Sequence, residues 1–199
     1  MKRIGPVVSV IVLLALLAAV PSHAAIIVKT ATLTGAQETP PNASTATGSA
    51  LVTVDTMTNM LTVNETFSGL IGGPAAAAHI HCCAPAGVAA MVAIPFPFPP
   101  FPAATGGQFI DSFDLTQATT YTAGFITASG GTAAAAEATF IAAFSSGTTY
   151  VNIHNAIFPG GEIRGQLVPE PATASYFVAG IVGLLIARRR RGWRGRATE

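Results

Sequence analysis

Apolar and polar positions alternate along most of the chain between residues 26 and 168. Ile26–Gly35 ("IIVKTATLTG") is rich in β-branched residues and stops at a glycine, the signature of a strand with a defined end. Gly48–Phe67 ("GSALVTVDTMTNMLTVNETF") alternates on both sides of a polar turn at Asp55–Asn59 and reads as a hairpin. Gln108–Leu115 ("QFIDSFDL") and Thr149–Phe158 ("TYVNIHNAIF") alternate in the same way, and Gly161–Val168 ("GEIRGQLV") closes the series. Thr132–Gly147 ("TAAAAEATFIAAFSSG") departs from this period. It is alanine-rich, carries Phe140, Ile141 and Phe144 at helical spacing and ends at a glycine, so one short helix is expected there. Ile94–Gly107 ("IPFPFPPFPAATGG") cannot join a central ladder because proline lacks the donor, and it reads as a loop or edge. Its Phe96, Phe98 and Phe101 are either displayed to a partner or carbohydrate or folded back over the core. Together these elements predict a mainly β, antiparallel sandwich or barrel with one short helix.

The two ends have a different texture. Residues 1–24 combine a basic start, Lys2 and Arg3, with an apolar run from Val7 to Val20 and small residues at Ser22 and Ala24. That is the layout of a secretory signal peptide, with signal peptidase as the implied partner. Residues 169–199 hold Pro169-Glu170-Pro171, an apolar stretch from Ala172 to Ala187 and then Arg188, Arg189, Arg190 and Arg191. A hydrophobic helix followed by a basic cluster halts in the inner membrane with its arginines in the cytoplasm. The three-part order resembles the PEP-CTERM sorting signal of exopolysaccharide-producing Gram-negative bacteria. That resemblance implies an exosortase as partner, a transient membrane-spanning tail helix, and delivery to the cell surface or extracellular matrix. A permanent single-pass anchor would use the same residues. Residues 25–168 remain as one exported domain.

Charge narrows the partners. Eight of the ten basic residues lie in the two ends, so residues 25–168 hold only Lys29 and Arg164 against seven carboxylates, a net charge of −5. No basic surface is left there to track nucleic-acid phosphates. Only a tenth of the chain is charged, against about 25% in ordinary soluble domains. No phosphate-binding loop and no nucleophile elbow appears, and the carboxylates Asp111 and Asp114 lie in no recognisable cleft motif.

The chemically distinctive stretch is Ala78–Pro85, "AHIHCCAP", with half of the chain's four histidines and both of its cysteines. On a strand, His79 and His81 project to one face, with Ala78 and Ile80 on the other. In "YVNIHN", Tyr150, Asn152 and His154 share one face and Val151 and Ile153 the other. Pairing the two histidine faces would gather His79, His81 and His154, and three imidazoles with an open position suit copper or zinc. The competing reading is architectural: the histidines bond backbone and carboxylates such as Glu162 to lock two strands, with Glu162 and Arg164 on one face, able to pair. Cys82 and Cys83 have no distant partner in the chain, and a vicinal disulfide between them is the default in an oxidising compartment. If the strand continues, Cys83 faces with the histidines as a soft ligand for copper(I).

"LTGAQETPP", "AHIH" and "TTYVNIHNAIFPGGEIRGQL" follow one another in the order and spacing of a CHRD domain, which residues 30–168 resemble. The resemblance implies an extracytoplasmic β-sandwich or barrel without an established enzymatic activity. Cys82 and Cys83 stand where many members have Gly and Pro, and the proline-phenylalanine loop is peculiar to this chain. The His-x-His strand also resembles that of copper/zinc superoxide dismutase, by fold-level analogy. The expectation is therefore an exported, non-enzymatic module that binds or adheres to the surface or exopolysaccharide matrix. The alternative is a copper- or zinc-binding protein using His79, His81 and His154.

Overall fold

A computed structural model describes residues 25–170. The expected signal peptide, the tail helix, Pro171 and Arg188–Arg191 lie outside the described residues; Pro169 and Glu170 are the last two within them. No helix among the described residues is long and apolar enough to cross a membrane.

Eight strands form the domain: β1 (Ile26–Thr34), β2 (Thr47–Asp55), β3 (Met60–Ser68), β4 (Ala75–Cys82), β5 (Met91–Pro95), β6 (Gly107–Asp114), β7 (Thr149–Asn155) and β8 (Ile163–Gln166). Two helices, α1 (Ala123–Ala128) and α2 (Ala133–Ser146), separate β6 from β7. All strands join one antiparallel sheet in the order β5-β4-β7-β8-β1-β2-β3-β6. The expected sandwich or barrel is therefore a single sheet curled into a half-barrel, with its two edges at β5 and β6. The reason is the β1–β8 junction. Thr34 pairs with Arg164, and Thr30 exchanges two backbone hydrogen bonds with Val168 (2.9 and 3.0 Å), which fuses what would have been two sheets.

Alternation decides which face is inside. Leu33, Val52, Val54, Leu61, Val63 and Phe109 point into the curl from one half of the sheet, and Ile80, Val151, Ile153 and Ile163 from the other. Phe140 and Phe144 of α2 plug the interior, both fully buried. Burying an aromatic or branched side chain contributes about 1.5–3 kcal/mol, so this contiguous cluster is the main source of stability. The helix occupies its expected span. Thr132 accepts a hydrogen bond from the amide of Ala135 (3.2 Å) at its start, and Gly147 at φ 76° ends it. Lys29 Nζ donates to the carbonyl of Ser145 (2.9 Å) at that end, where a cation complements the helix dipole.

A second helix, α1, corrects the expectation of one. Its cap, Thr122, accepts from the amide of Phe125 (3.2 Å) and donates through Oγ1 to the carbonyl of Val92 (2.6 Å). Thr122 N also donates to Ala93 O (3.0 Å), so the free edge of β5 is partly covered, which suppresses edge-to-edge pairing. The proline-rich segment begins as strand β5 at the sheet edge, where proline is tolerated. Its phenylalanines fold back: Phe96 and Phe101 are buried, Phe98 packs against the core, and Phe101 stacks on Phe67 at 5.4 Å between ring centroids.

Candidate metal centre

The β4–β7 pair builds the site. Its register sets His79 opposite Asn152, His81 opposite Tyr150, and Ala77 opposite His154. The two-residue period then puts all of these polar side chains on the face away from Ala78, Ile80, Val151 and Ile153, which lie in the core. The outcome is a cluster in which one nitrogen each of His79, His81 and His154 lies within 4.8 Å of the others. The closest pair, His79 Nδ1 and His154 Nε2, is 3.2 Å apart. Two nitrogens bound tetrahedrally to one ion at about 2.0–2.1 Å stand about 3.3 Å apart, so this pair already has the spacing of two ligands.

Hydrogen bonds assign the ring protons. His81 Nδ1 lies 2.8 Å from the carbonyl of Ala90, and His154 Nδ1 lies 2.9 Å from the carbonyl of Pro159. A carbonyl only accepts, so both Nδ1 atoms carry hydrogen and both Nε2 atoms present a lone pair. The His154 lone pair accepts from His79 Nδ1, and Asn152 lies 3.0 Å away with its side-chain amide. His81 Nε2 is buried and no hydrogen bond reaches it, with the Asn152 side chain a polar neighbour acting on the ring. Burial pushes the His79 ring down to about 4, helped by the neighbouring His154 and His81. Burial also lowers His81 and His154. All three rings are thus neutral at neutral pH, the state in which imidazole ligates.

A second layer holds the rings. The Tyr150 ring stacks on His81, with centroids 4.5 Å apart and planes within 5°. The Arg164 guanidinium lies 3.4 Å over the centre of the Tyr150 ring, a cation–π contact. Tyr150 Oη accepts from the amide of Ala90 (3.1 Å), so the residue that orients His81 is fixed by the residue stacked on it. Glu38 adds a buried carboxyl, bonded to Asn152 and Thr39 and close to Arg164; burial pushes it up to about 7 against those three influences. Gly161 closes the wall at φ +124°, and a Cβ there would stand 2.2 Å from Glu38 Oε1, so only glycine fits.

The architectural partners expected of Glu162 differ. Its carboxylate accepts from Ser44 Oγ (2.6 Å), the amides of Ile71 (2.7 Å) and Gly72 (3.1 Å), and the Asn155 side chain, and it touches none of the three histidines. Arg164, expected to pair with it, instead donates to Thr39 Oγ1 (3.1 Å) and the carbonyl of Val88 (2.7 Å). The physical reason is that Glu162 precedes β8 and sits in the turn, where it gathers loops, while Arg164 lies inside the strand. Cys82 ends β4 facing the core, Cys83 is exposed beyond it, and their sulfurs are joined as a disulfide. Cys83 therefore offers no thiolate to the cluster. Glu38 carries no signal for the site in the sequence, whereas Tyr150 shares the alternating face of His154 and Arg164 is expected from its strand to pair with Glu162 or with an imidazole.

The three sequence motifs thus meet at one place: Glu38 from the first, His79 and His81 from the second, Tyr150, Asn152, His154 and Arg164 from the third. The sequence matches the CHRD domain over residues 29–167. The chain belongs to the CHRD domain family. This family is not known as one of enzymes, and membership is consistent with an extracellular-type module. No curated protein and no solved structure matches the chain.

Proposed function

We propose that this CHRD protein is an exported, non-enzymatic module that binds one copper or zinc ion at His79, His81 and His154. The single observation that carries the reading is the His81 Nε2 lone pair, buried, unpartnered and aimed among two other neutral imidazoles. A buried acceptor without a donor costs about 1–3 kcal/mol, and a cation is the partner that would offset it. The outer contacts fit the same purpose: carbonyls of Ala90 and Pro159 fix two rings through Nδ1, as second-layer acceptors do in histidine metal sites. His81 and His154 would ligate through Nε2 and His79 through Nδ1, its proton moving to the outer ring nitrogen. The third nitrogen must close on the other two, which a rotation of side chains supplies.

The ends supply the address. A signal peptide over residues 1–24 and a sorting tail over 169–199 would carry the domain through signal peptidase and exosortase to the surface or exopolysaccharide matrix. There the module would adhere to matrix and hold metal without turnover. Phe96 and Phe101 are buried, so these two rings are not displayed to a matrix partner.

Thermal denaturation of the full chain in mild detergent tests the metal reading. Ligand at a thousandfold its Kd stabilises the folded state by about 4 kcal/mol. Zinc or copper(II) is expected to raise Tm by several degrees, and His81→Ala is expected to abolish the rise. An equal rise in the variant would overturn the assignment.

A further inference from the structure

A pocket of about 390 Å³ opens beside the metal centre, between the turn after β1 and strand β8. Its walls include Glu38, Thr39, Arg164, Gln166, Ala86 and Gly87. Arg164 is one of two cations in the domain, and the other, Lys29, is committed to the end of α2. The guanidinium is buried, and its hydrogen-bond partners, Thr39 Oγ1 and the carbonyl of Val88, are both neutral. A guanidinium carries five N–H donors in a planar fork, so several remain for a ligand. A buried charge without an ionised partner held against it is costly, and an anion supplied from outside relieves that cost.

Glu38 and Gln166 line the same wall, and just behind it Glu38 Oε1 and Gln166 Oε1 are buried without a hydrogen-bond donor, although Gln166 Nε2 is used twice, by the carbonyls of Ala84 (3.3 Å) and Gly147 (2.8 Å). Buried acceptors are normally satisfied, so two orphans on residues of one pocket call for hydroxyl donors that a small turn of either side chain would meet. Burial also keeps the Glu38 carboxyl protonated up to about pH 7, which leaves the pocket cationic below that pH.

We propose that this pocket binds a carboxylate bearing neighbouring hydroxyls, the chemistry of a uronic acid unit: the carboxylate meets the Arg164 fork, and the hydroxyls donate to Glu38 and Gln166. A free hydroxy acid and the uronate of an acidic polysaccharide share this chemistry. The site is separate from the histidine cluster and requires no metal.

Titration calorimetry on the metal-free full chain in mild detergent at pH 6 tests it, with glucuronate, acetate, glucose and an oligogalacturonate as probes. Glucuronate is expected to bind at least tenfold more tightly than acetate, which lacks the hydroxyls, and than glucose, which lacks the carboxylate. Ala86→Trp, an exposed change that fills the pocket while leaving Arg164 in place, and Arg164→Gln are each expected to weaken glucuronate at least tenfold. Tighter binding of the oligomer assigns the polysaccharide as source; equal binding assigns the free acid. Absence of glucuronate binding by the folded chain, or unchanged binding in Ala86→Trp, would overturn the proposal. Neither result depends on whether the histidines take a metal.

Discussion

At the scale of single residues, two kinds of buried titratable group oppose each other. His79 is pushed down to about 4 from the usual 6.5, so unfolding takes up protons. Its stabilising effect is complete above pH 6.5 and is lost as pH falls through about 4. Metal affinity is expected to fall over the same window as protons compete for the rings. Glu65 behaves in the opposite sense. It lies in β3 opposite Ala50 and Phe109, is fully buried, and neither carboxyl oxygen has a partner. Burial pushes it up to about 8 from 4.5. The protonated folded state is favoured fully below 4.5, and that advantage is lost as pH rises through about 8. Urea denaturation of Glu65→Met against the parent chain isolates this group. The variant is expected to gain about 2 kcal/mol or more at pH 8 and little at pH 4. A pH-independent difference would show that Glu65 does not titrate in the fold. Part of this was legible beforehand. His79 and His81 share a face by the period of a strand, and the same period sets Glu65 on the inner face with Leu61, Val63 and Phe67, against its polarity.

At the scale of elements, local pattern was informative wherever the partner was a sequence neighbour. The β2–β3 hairpin and α2 emerge within a residue or two of their expected bounds, because a polar turn and a Thr132 to Gly147 cap pair are local signals. α1 escaped notice because its six residues are too few to show a period, and β5 because its sequence runs into prolines. The turn between β7 and β8 is held by Glu162, whose carboxylate ties Ser44, Ile71, Gly72 and Asn155 together. Glu162→Ala strands several buried donors at once and is expected to cost about 3 kcal/mol or more by chemical denaturation. Since His154 bonds to Pro159 within the same turn, the variant should also weaken metal binding. Thr132→Ala, by contrast, removes one cap and is expected to cost about 1 kcal/mol with no effect on metal. If both variants destabilise alike, the turn is not the hub described.

At the scale of the whole molecule, the expected sandwich or barrel takes the form of one sheet curled into a half-barrel, because β8 pairs with both β7 and β1. That junction joins segments more than a hundred residues apart, and no local period announces it. It is also what brings Glu38, at the turn after β1, beside Arg164 of β8 and Asn152 of β7. The site therefore depends on closure of the curl, while the histidine pair depends only on β4 meeting β7. Sorting belongs to this scale as well. If the tail is processed at Pro169-Glu170-Pro171, intact-mass analysis of the surface-exposed protein should show a chain ending near residue 170, and Glu170→Ala should leave the full-length form in the membrane. A surface form that retains Arg188–Arg191 would make the tail an anchor.

The most direct test of the central claim is the copper and zinc content of the chain recovered from the envelope of cells grown with ordinary trace metals. Elemental analysis should find close to one equivalent of one of these metals, falling below about a tenth of that in a folded His79→Ala/His81→Ala variant. Only trace metal in the parent chain, or an equal content in the variant, would contradict a metal centre at His79, His81 and His154 and leave the three rings as strand-locking architecture.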